Sequence, residues 1–271
     1  MTDTEPSLGD RAGTLARGSG AAIAYRCRAG RADLPGLLFL GGFRSTMDGI
    51  KASWLDQFCA RTGRNFVRFD YQGHGDSATR FEACTVGLWR DDALAVLDQV
   101  ASGRQILVGS SMGAWIALLL ALARPERVAG LVLIAGATDF TEALLWPRLG
   151  AERQHRLMAA GAIRIPSSYD PDGYVITRAL IEEGRQHLLL GGPIALGVPV
   201  RLLHGMADPD VPWQHSLRLV EALSGGDVVA SFVKDGDHRL SRPQDLARLA
   251  AMIEELTAAL SAPAGNPDRP G

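Results

Sequence analysis

Ser111, Asp208 and His238 are three side chains whose types and chain order suit one kind of chemistry, the activation of a hydroxyl to attack an acyl carbonyl. Gly109-Ser110-Ser111-Met112-Gly113 reads G-x-S-x-G. It ends the apolar run Ile106-Leu107-Val108 and opens a helical stretch from Met112 to Ala123. That strand–turn–helix setting gives the motif its meaning, because the turn is too tight for side chains on both flanks and holds the serine outward. The serine then stands at a helix start, where unpaired backbone N–H groups favour negative charge. A serine hydroxyl is a weak nucleophile without a base, and the base needs an orienting acid. Leu202-Leu203-His204-Gly205-Met206-Ala207-Asp208 is a strand entering a loop with an acid just beyond it, and Lys234-Asp235-Gly236-Asp237-His238 follows the next strand. The order Ser, Asp, His is the one the nucleophile elbow calls for.

Alternatives exist for each partner. Asp210 competes with Asp208, which is favoured because it follows its strand directly. His204 is read as a buried histidine bracing its loop, and His74, in the Gly-rich turn Tyr71 to Ser77, as structural or in contact with substrate. An oxyanion needs two donors aimed at it. The backbone N–H of Met112 supplies one, and that of Phe43 the other, from a loop in which Gly41-Gly42 allows close approach. Trp115, Trp213, Leu145 and Trp146 are candidates for the substrate pocket, with ordinary core packing as the competing reading.

These residues must be carried by alternating strands and helices. Strands are expected at Ala21–Cys27, Leu37–Leu40, Asn65–Asp70, Ile106–Val108, Val128–Ile134, Val200–His204 and Val228–Val233, with helices at Gly49–Arg61, Val86–Val100, Met112–Ala123, Val211–Ala222 and Pro243–Leu260. Such alternation implies an α/β fold, a mostly parallel sheet with helices on both faces. Its ligand site belongs at the carboxyl ends of the strands. From Ala137 to Gly197 the pattern turns to amphipathic helical segments, read as an inserted helical cap over the site. The domain reading is therefore a flexible segment over 1–14, a core over 15–136 and 198–260, a cap over 137–197 and a flexible tail over 261–271.

Composition narrows the remaining choices. The chain has 271 residues, 46% of them hydrophobic, and a formal charge of −2, which excludes the basic footprint of a nucleic-acid binder. No apolar run is long enough to span a bilayer. The N-terminal stretch carries Asp3, Glu5 and Asp10 and lacks an apolar core, so neither a secretory signal nor a mitochondrial presequence is expected, and the protein reads as cytoplasmic. The three cysteines have no metal-like spacing, and no phosphate-binding loop, H-E-x-x-H or dinucleotide fingerprint occurs, so no metal and no cofactor are expected.

The chain resembles the α/β-hydrolase family, and within it the branch of mitochondrial palmitoyl-protein thioesterases that also hydrolyse acyl glucuronides such as that of mycophenolic acid. The stretches that carry the resemblance are Met47 to Ala52, Phe69-Asp70-Tyr71, Ile106 to Gly113, Ala123 to Glu126, Arg201 to Met206, Val211-Pro212-Trp213 and Asp237-His238-Arg239. It implies Ser111, Asp208 and His238 as nucleophile, acid and base. It also implies an acyl ester or thioester as substrate, small or attached to a protein. Gly41-Gly42-Phe43 stands where that branch tends to have a proline before its glycine. The function expected is a serine esterase or thioesterase working through an acyl-enzyme. The rivals are a general carboxylesterase, a C–C hydrolase or a perhydrolase on the same three residues, or a hydrolase-like scaffold that only binds.

Overall fold

The computed structural model describes residues 10–18, 21–77, 79–167 and 170–261. Ten strands are present among them: β1 Asp10–Ala16, β2 Ala22–Arg28, β3 Gly36–Leu40, β4 Phe66–Phe69, β5 Gln105–Ser110, β6 Val128–Ile134, β7 Ala162–Ile165, β8 Tyr174–Thr177, β9 Val200–Gly205 and β10 Val228–Val233. The helices are α1 Ile50–Thr62, α2 Val86–Gln99, α3 Met112–Ala123, α4 Trp146–Ala160, α5 Arg178–Gly184, α6 Gln214–Ala222 and α7 Pro243–Ser261. Eight strands form one sheet in the order β1-β2-β4-β3-β5-β6-β9-β10. β1 and β2 pair antiparallel, as do β2 and β4, and the rest of the sheet is parallel.

The central strands are apolar on both faces because both are covered. Successive side chains alternate between two cores. Leu38 and Leu40 of β3, Leu107 of β5, Leu131 and Leu133 of β6 and Leu202 of β9 face α2, α3 and α6. Leu37 and Phe39, Ile106 and Val108, Val132 and Ile134, and Leu203 face α1 and α7. Helix α3 is buried from Met112 to Ala121, so the serine turn at its start is seated on the most enclosed helix of the fold. The chain reverses its direction of strand addition at β3, with β4 on one side and β5 on the other. The loops leaving β3 and β5 therefore flank the crevice where such sheets bind ligands.

Two expectations need correction. The segment expected to be loose to Thr14 forms the edge strand β1 from Asp10, in register with β2. Most of its side chains face solvent, so it carries no apolar pattern. The segment 137–197, expected to be a helical cap, contains the antiparallel hairpin β7–β8 between α4 and α5. Residues 1–9, the remainder of the segment expected to be flexible, and 262–271 of the expected tail lie outside the described residues. Among the described residues no helix is long and apolar enough to cross a membrane.

Candidate active site

The elbow is held by contact, not by sequence pattern alone. Ser111 has φ 56° and ψ −119°, a strained conformation for a residue with a side chain. Its N–H donates to Ile134 O at 2.9 Å, and its carbonyl accepts from Ala114 at 3.0 Å and Ala137 at 3.1 Å. A Cβ at Gly109 would lie 2.5 Å from Gly113 O, and one at Gly113 would overlap the carbonyl oxygen of Leu40. Both glycines are thus demanded by the passage of α3 across β5 and β3.

Two further loops bring the partners of Ser111 to it. Gly205 and Gly236 are in such contact that a Cβ on the first would overlap the carbonyl of the second, and Ala207 N–H donates to Gly236 O at 2.9 Å. The loops after β9 and β10 therefore lie against each other. His238 Nδ1–H donates to Asp208 Oδ2 at 2.7 Å, and the Ser111 hydroxyl lies 3.0 Å from His238 Nε2. The Asp208 side chain is fully buried and that of His238 is 16% exposed. Asp208 Oδ1 accepts the N–H groups of Asp210 and Val211 at 2.8 and 2.9 Å. Its Oδ2 also receives His204 Nε2 at 3.2 Å. Burial alone would raise the Asp208 pKa, but the bonds from His204 and His238 outweigh it and hold the carboxylate well below its usual range. It is an acceptor at every working pH.

His204 is fully buried, and its Nε2 lies 3.0 Å from Val211 O as well as near Asp208. Both neighbours only accept, so Nε2 carries the proton, while Nδ1 meets the Ser216 hydroxyl at 2.6 Å. This histidine fixes the Asp208 carboxylate. The sequence marks it as a buried histidine bracing its loop, and the group it holds in that loop is the Asp208 side chain.

The loop after β3 approaches from the other side. A Cβ on Gly42 would lie 3.3 Å from both Ser110 O and Ser111 Cβ, tighter than most real contacts. Among the described residues the backbone N–H groups of Phe43 and Met112 have no hydrogen-bond partner. The next N–H, of Arg44, donates to His74 Nε2 at 3.0 Å, and His74 Nδ1–H donates to Gln72 O at 3.2 Å. Burial lowers the His74 pKa to about 4, which keeps the ring neutral and its Nε2 an acceptor. His74 is therefore a support for the Phe43 loop and is itself 3% exposed, too buried to meet substrate. The Phe43 ring completes the support, packing edge-on against Phe81 at 4.9 Å and Phe140 at 5.5 Å.

Two cavities meet at Ser111. One, of about 360 Å³, is mostly apolar and runs past Phe140, Leu144, Leu145, Leu149, Ile165 and Ile176. The other, of about 610 Å³, mixes polar and apolar lining and runs between the Phe43 loop, the start of α1 and the loop after His238. Phe43, Ser111, Tyr174, Asp210 and His238 line both. Of the four pocket candidates, Leu145 lines the apolar cavity. The three tryptophans are not in either lining. Trp115 is fully buried and donates its indole N–H to His187 O at 3.0 Å, Trp213 packs on Phe232 at 5.3 Å, and Trp146 lies under Arg185 at 4.9 Å. Each ring was near the site in sequence but has its partner elsewhere, an acceptor for Trp115, an aromatic ring for Trp213 and a guanidinium for Trp146. Sequence reasoning missed Phe140, from the loop after β6, and Ile165, Tyr174 and Ile176, which enter because the hairpin folds over the serine.

Among the described residues one group has ligand atoms close enough to share a cation, Asp208, Asp210 and His238, within 4.8 Å. The two oxygens of Asp208 already accept four N–H donors, which suits the group to hydrogen bonding and not to metal ligation.

Comparison with known proteins adds to this geometry. Residues 36–194 match the family described as serine aminopeptidase, S33. The chain is 43% identical over 240 residues to palmitoyl-protein thioesterase ABHD10, mitochondrial, of Mus musculus, covering 88% of this chain and 80% of that protein. The Homo sapiens protein of the same name is 38% identical over 240 residues, covering 88% and 78%. Among solved structures, alpha/beta hydrolase domain-containing protein 10 from mouse superimposes with a TM-score of 0.85 at 42% identity, covering 93% of this chain and all of that one. A structure from Agrobacterium vitis S4 gives a TM-score of 0.87 at 45% identity with the same coverage. The expectation of a cytoplasmic protein is overturned by these comparisons, since the mouse, rat, bovine and human relatives are all named as mitochondrial. The acidic N-terminal residues on which it rested say nothing about the destination of the relatives.

Proposed function

The chain belongs to the serine aminopeptidase S33 family, with the α/β-hydrolase fold, and from that premise we propose that it cleaves carboxylic esters and thioesters through an acyl-enzyme on Ser111. The observation that carries the assignment is the unbroken hydrogen-bonded path from Asp208 through His238 to the Ser111 hydroxyl, 2.7 and 3.0 Å. Ser111 Oγ attacks the acyl carbon as His238 Nε2 takes its proton, and Asp208 stabilises the imidazolium through Nδ1–H. The oxyanion forms beside the Phe43 and Met112 N–H groups, and removing one such donor in comparable sites costs about 3 kcal/mol. Collapse expels the alcohol or thiol, which takes the proton from His238. Water then gives a proton to His238, adds to the acyl carbon, and releases the carboxylic acid with return of the proton to Ser111.

The acyl group occupies the apolar cavity, where burial is worth about 0.8 kcal/mol per methylene. We read residues 137–197 as the cap that supplies this lining. The relatives named palmitoyl-protein thioesterase support a long acyl chain and a thiol leaving group, including a protein cysteine. Fluorophosphonate labelling tests the assignment. The probe is expected to attach to Ser111, Ser111→Ala is expected to abolish turnover of p-nitrophenyl acyl esters at unchanged thermal stability, and undiminished turnover by that variant removes Ser111 from the mechanism.

A further inference from the structure

His238 rides on the loop that joins β10 to α7, and the loop is anchored on either side of it. Before it, Ala207 N–H donates to Gly236 O at 2.9 Å, and a Cβ on Gly205 would overlap that carbonyl. After it, Leu240 N–H donates to Asp237 Oδ1 at 2.9 Å, and the Leu240 side chain is buried in the core beneath α1 and α7. Leu240 has φ 44°, a left-handed conformation that a leucine adopts only where its surroundings enforce it. Between these anchors the Arg239 carbonyl accepts two donors, the Ser241 hydroxyl at 3.0 Å and the Lys51 ammonium. Ser241 belongs to the same loop. Lys51 stands at the start of α1, 188 residues away, and so ties the carbonyl to a separate element.

We propose that Lys51 is a positioning residue for acyl transfer: through the Arg239 carbonyl its ammonium holds the His238 loop, and with it the imidazole, at the 3.0 Å reach from which the Ser111 proton is taken. The hydrogen bond from Nδ1 to Asp208 fixes one end of the ring but not the distance from its other end to Ser111. Packing cannot fix the loop on the side of Lys51, because Lys51, His238, Arg239 and Ser241 all line the cavity of about 610 Å³. A charge-assisted hydrogen bond serves there instead, being stronger than a neutral one. Burial pushes the Lys51 pKa down to about 8, the Asp237 charge opposes that fall and the Arg239 charge adds to it, so the ammonium is the main form at neutral pH. Misplacing a reacting group by about 1 Å costs about 100-fold in rate, which sets the scale of the effect.

Lys51 has this role only if acyl transfer proceeds at Ser111, and the test separates the two. Lys51→Met keeps the length of the side chain and removes the donor. With a p-nitrophenyl acyl ester it is expected to lower kcat about 10- to 100-fold with KM within about threefold, and to slow fluorophosphonate labelling of Ser111 by a similar factor. Lys51→Arg, which keeps a charged donor, is expected to recover most of both rates. In a His238→Ala background the same Lys51→Met change is expected to alter residual turnover by less than about threefold, since the loop then carries no base. Equal losses in both backgrounds overturn the proposal. So do a kcat and labelling rate within about threefold of wild type, a loss confined to KM, or an Arg variant no better than the Met variant. Should Lys51→Met lose its fold, Lys51→Gln, whose shorter side chain falls short of the carbonyl, takes its place in the same comparison. Wild-type protein that neither takes the label at Ser111 nor turns over the ester instead refutes the acyl-enzyme.

Discussion

Asn in place of Asp208 separates the acid from a mere loop residue. The amide keeps the size of the carboxylate and one oxygen, so the N–H groups of Asp210 and Val211 retain their acceptor at 2.8 and 2.9 Å. Where Oδ2 stood, an NH₂ now faces two ring nitrogens, His238 Nδ1 at 2.7 Å and His204 Nε2 at 3.2 Å. Donor meets donor. His238 escapes by moving its proton to Nε2, which then points at Ser111 and cannot take the hydroxyl proton. The charge that would hold the imidazolium is lost as well. Together these changes are expected to lower kcat about 10⁴-fold, roughly 5.5 kcal/mol of barrier, with KM little changed. His204 has no such escape, because Val211 O at 3.0 Å also requires its Nε2–H. A buried group left unsatisfied there costs about 1–3 kcal/mol, or a Tm lower by roughly 2–10 °C. Steady-state hydrolysis of a p-nitrophenyl ester, with thermal unfolding alongside, measures both. Asp210→Asn is the control, since its backbone and not its carboxylate meets Asp208, and its kcat is expected within about threefold of wild type. An Asp208→Asn enzyme within about tenfold of wild type, or a larger loss in Asp210→Asn, refutes the assignment of the acid.

Gly113→Ala is expected to lower stability by about 3 kcal/mol, because its Cβ overlaps the backbone carbonyls of Leu40 and Gly41, which no rotamer can relieve. A wild-type Tm in this variant would contradict the close passage of α3 over β3. His74 gives a pH signature: buried and neutral, it protonates near pH 4 in the folded chain against about 6.5 when unfolded. The unfolded state binds more protons between those values, so stability falls as pH drops from about 6.5 to 4, by up to about 3 kcal/mol from this residue. His74→Gln is expected to flatten the Tm–pH slope across that window, and an unchanged slope would mean the ring is not held neutral.

Much of this could be read along the chain because the signals were local. The elbow, the apolar run before it and the helix after it are contiguous, and the central strands are apolar on both faces over their full length. Where the determinant is non-local, the reading failed. β1 is an edge strand stabilised by its register with β2, and its exposed residues leave no periodic trace. β7 and β8 are four residues each, Ala162–Ile165 and Tyr174–Thr177, too short for alternation to outweigh the helical pattern around them. Trp115 follows the nucleophile closely, yet its indole N–H must be satisfied, and His187 O accepts it on the side away from both cavities.

The histidines make the point sharply, since residue type is constant and environment alone sorts their work. His74 sits between a carbonyl and an N–H donor with aromatic rings around it, an environment that selects the neutral form and gives it a loop to hold. His204 has one nitrogen on a hydroxyl and the other shared between a carbonyl and a carboxylate, all fully buried, so both ends are committed to fixing Asp208. His238 bridges that same carboxylate and a hydroxyl that lines two cavities, with its side chain 16% exposed, whereas the Ser216 hydroxyl on His204 is buried. There one nitrogen is fixed by charge while the other meets a hydroxyl that can reach a bound carbonyl. A carboxylate anchored by four donors cannot swing to follow substrate, so any adjustment during the reaction must fall on the imidazole and on the Phe43 loop. That fixed carboxylate is what the buried second histidine secures.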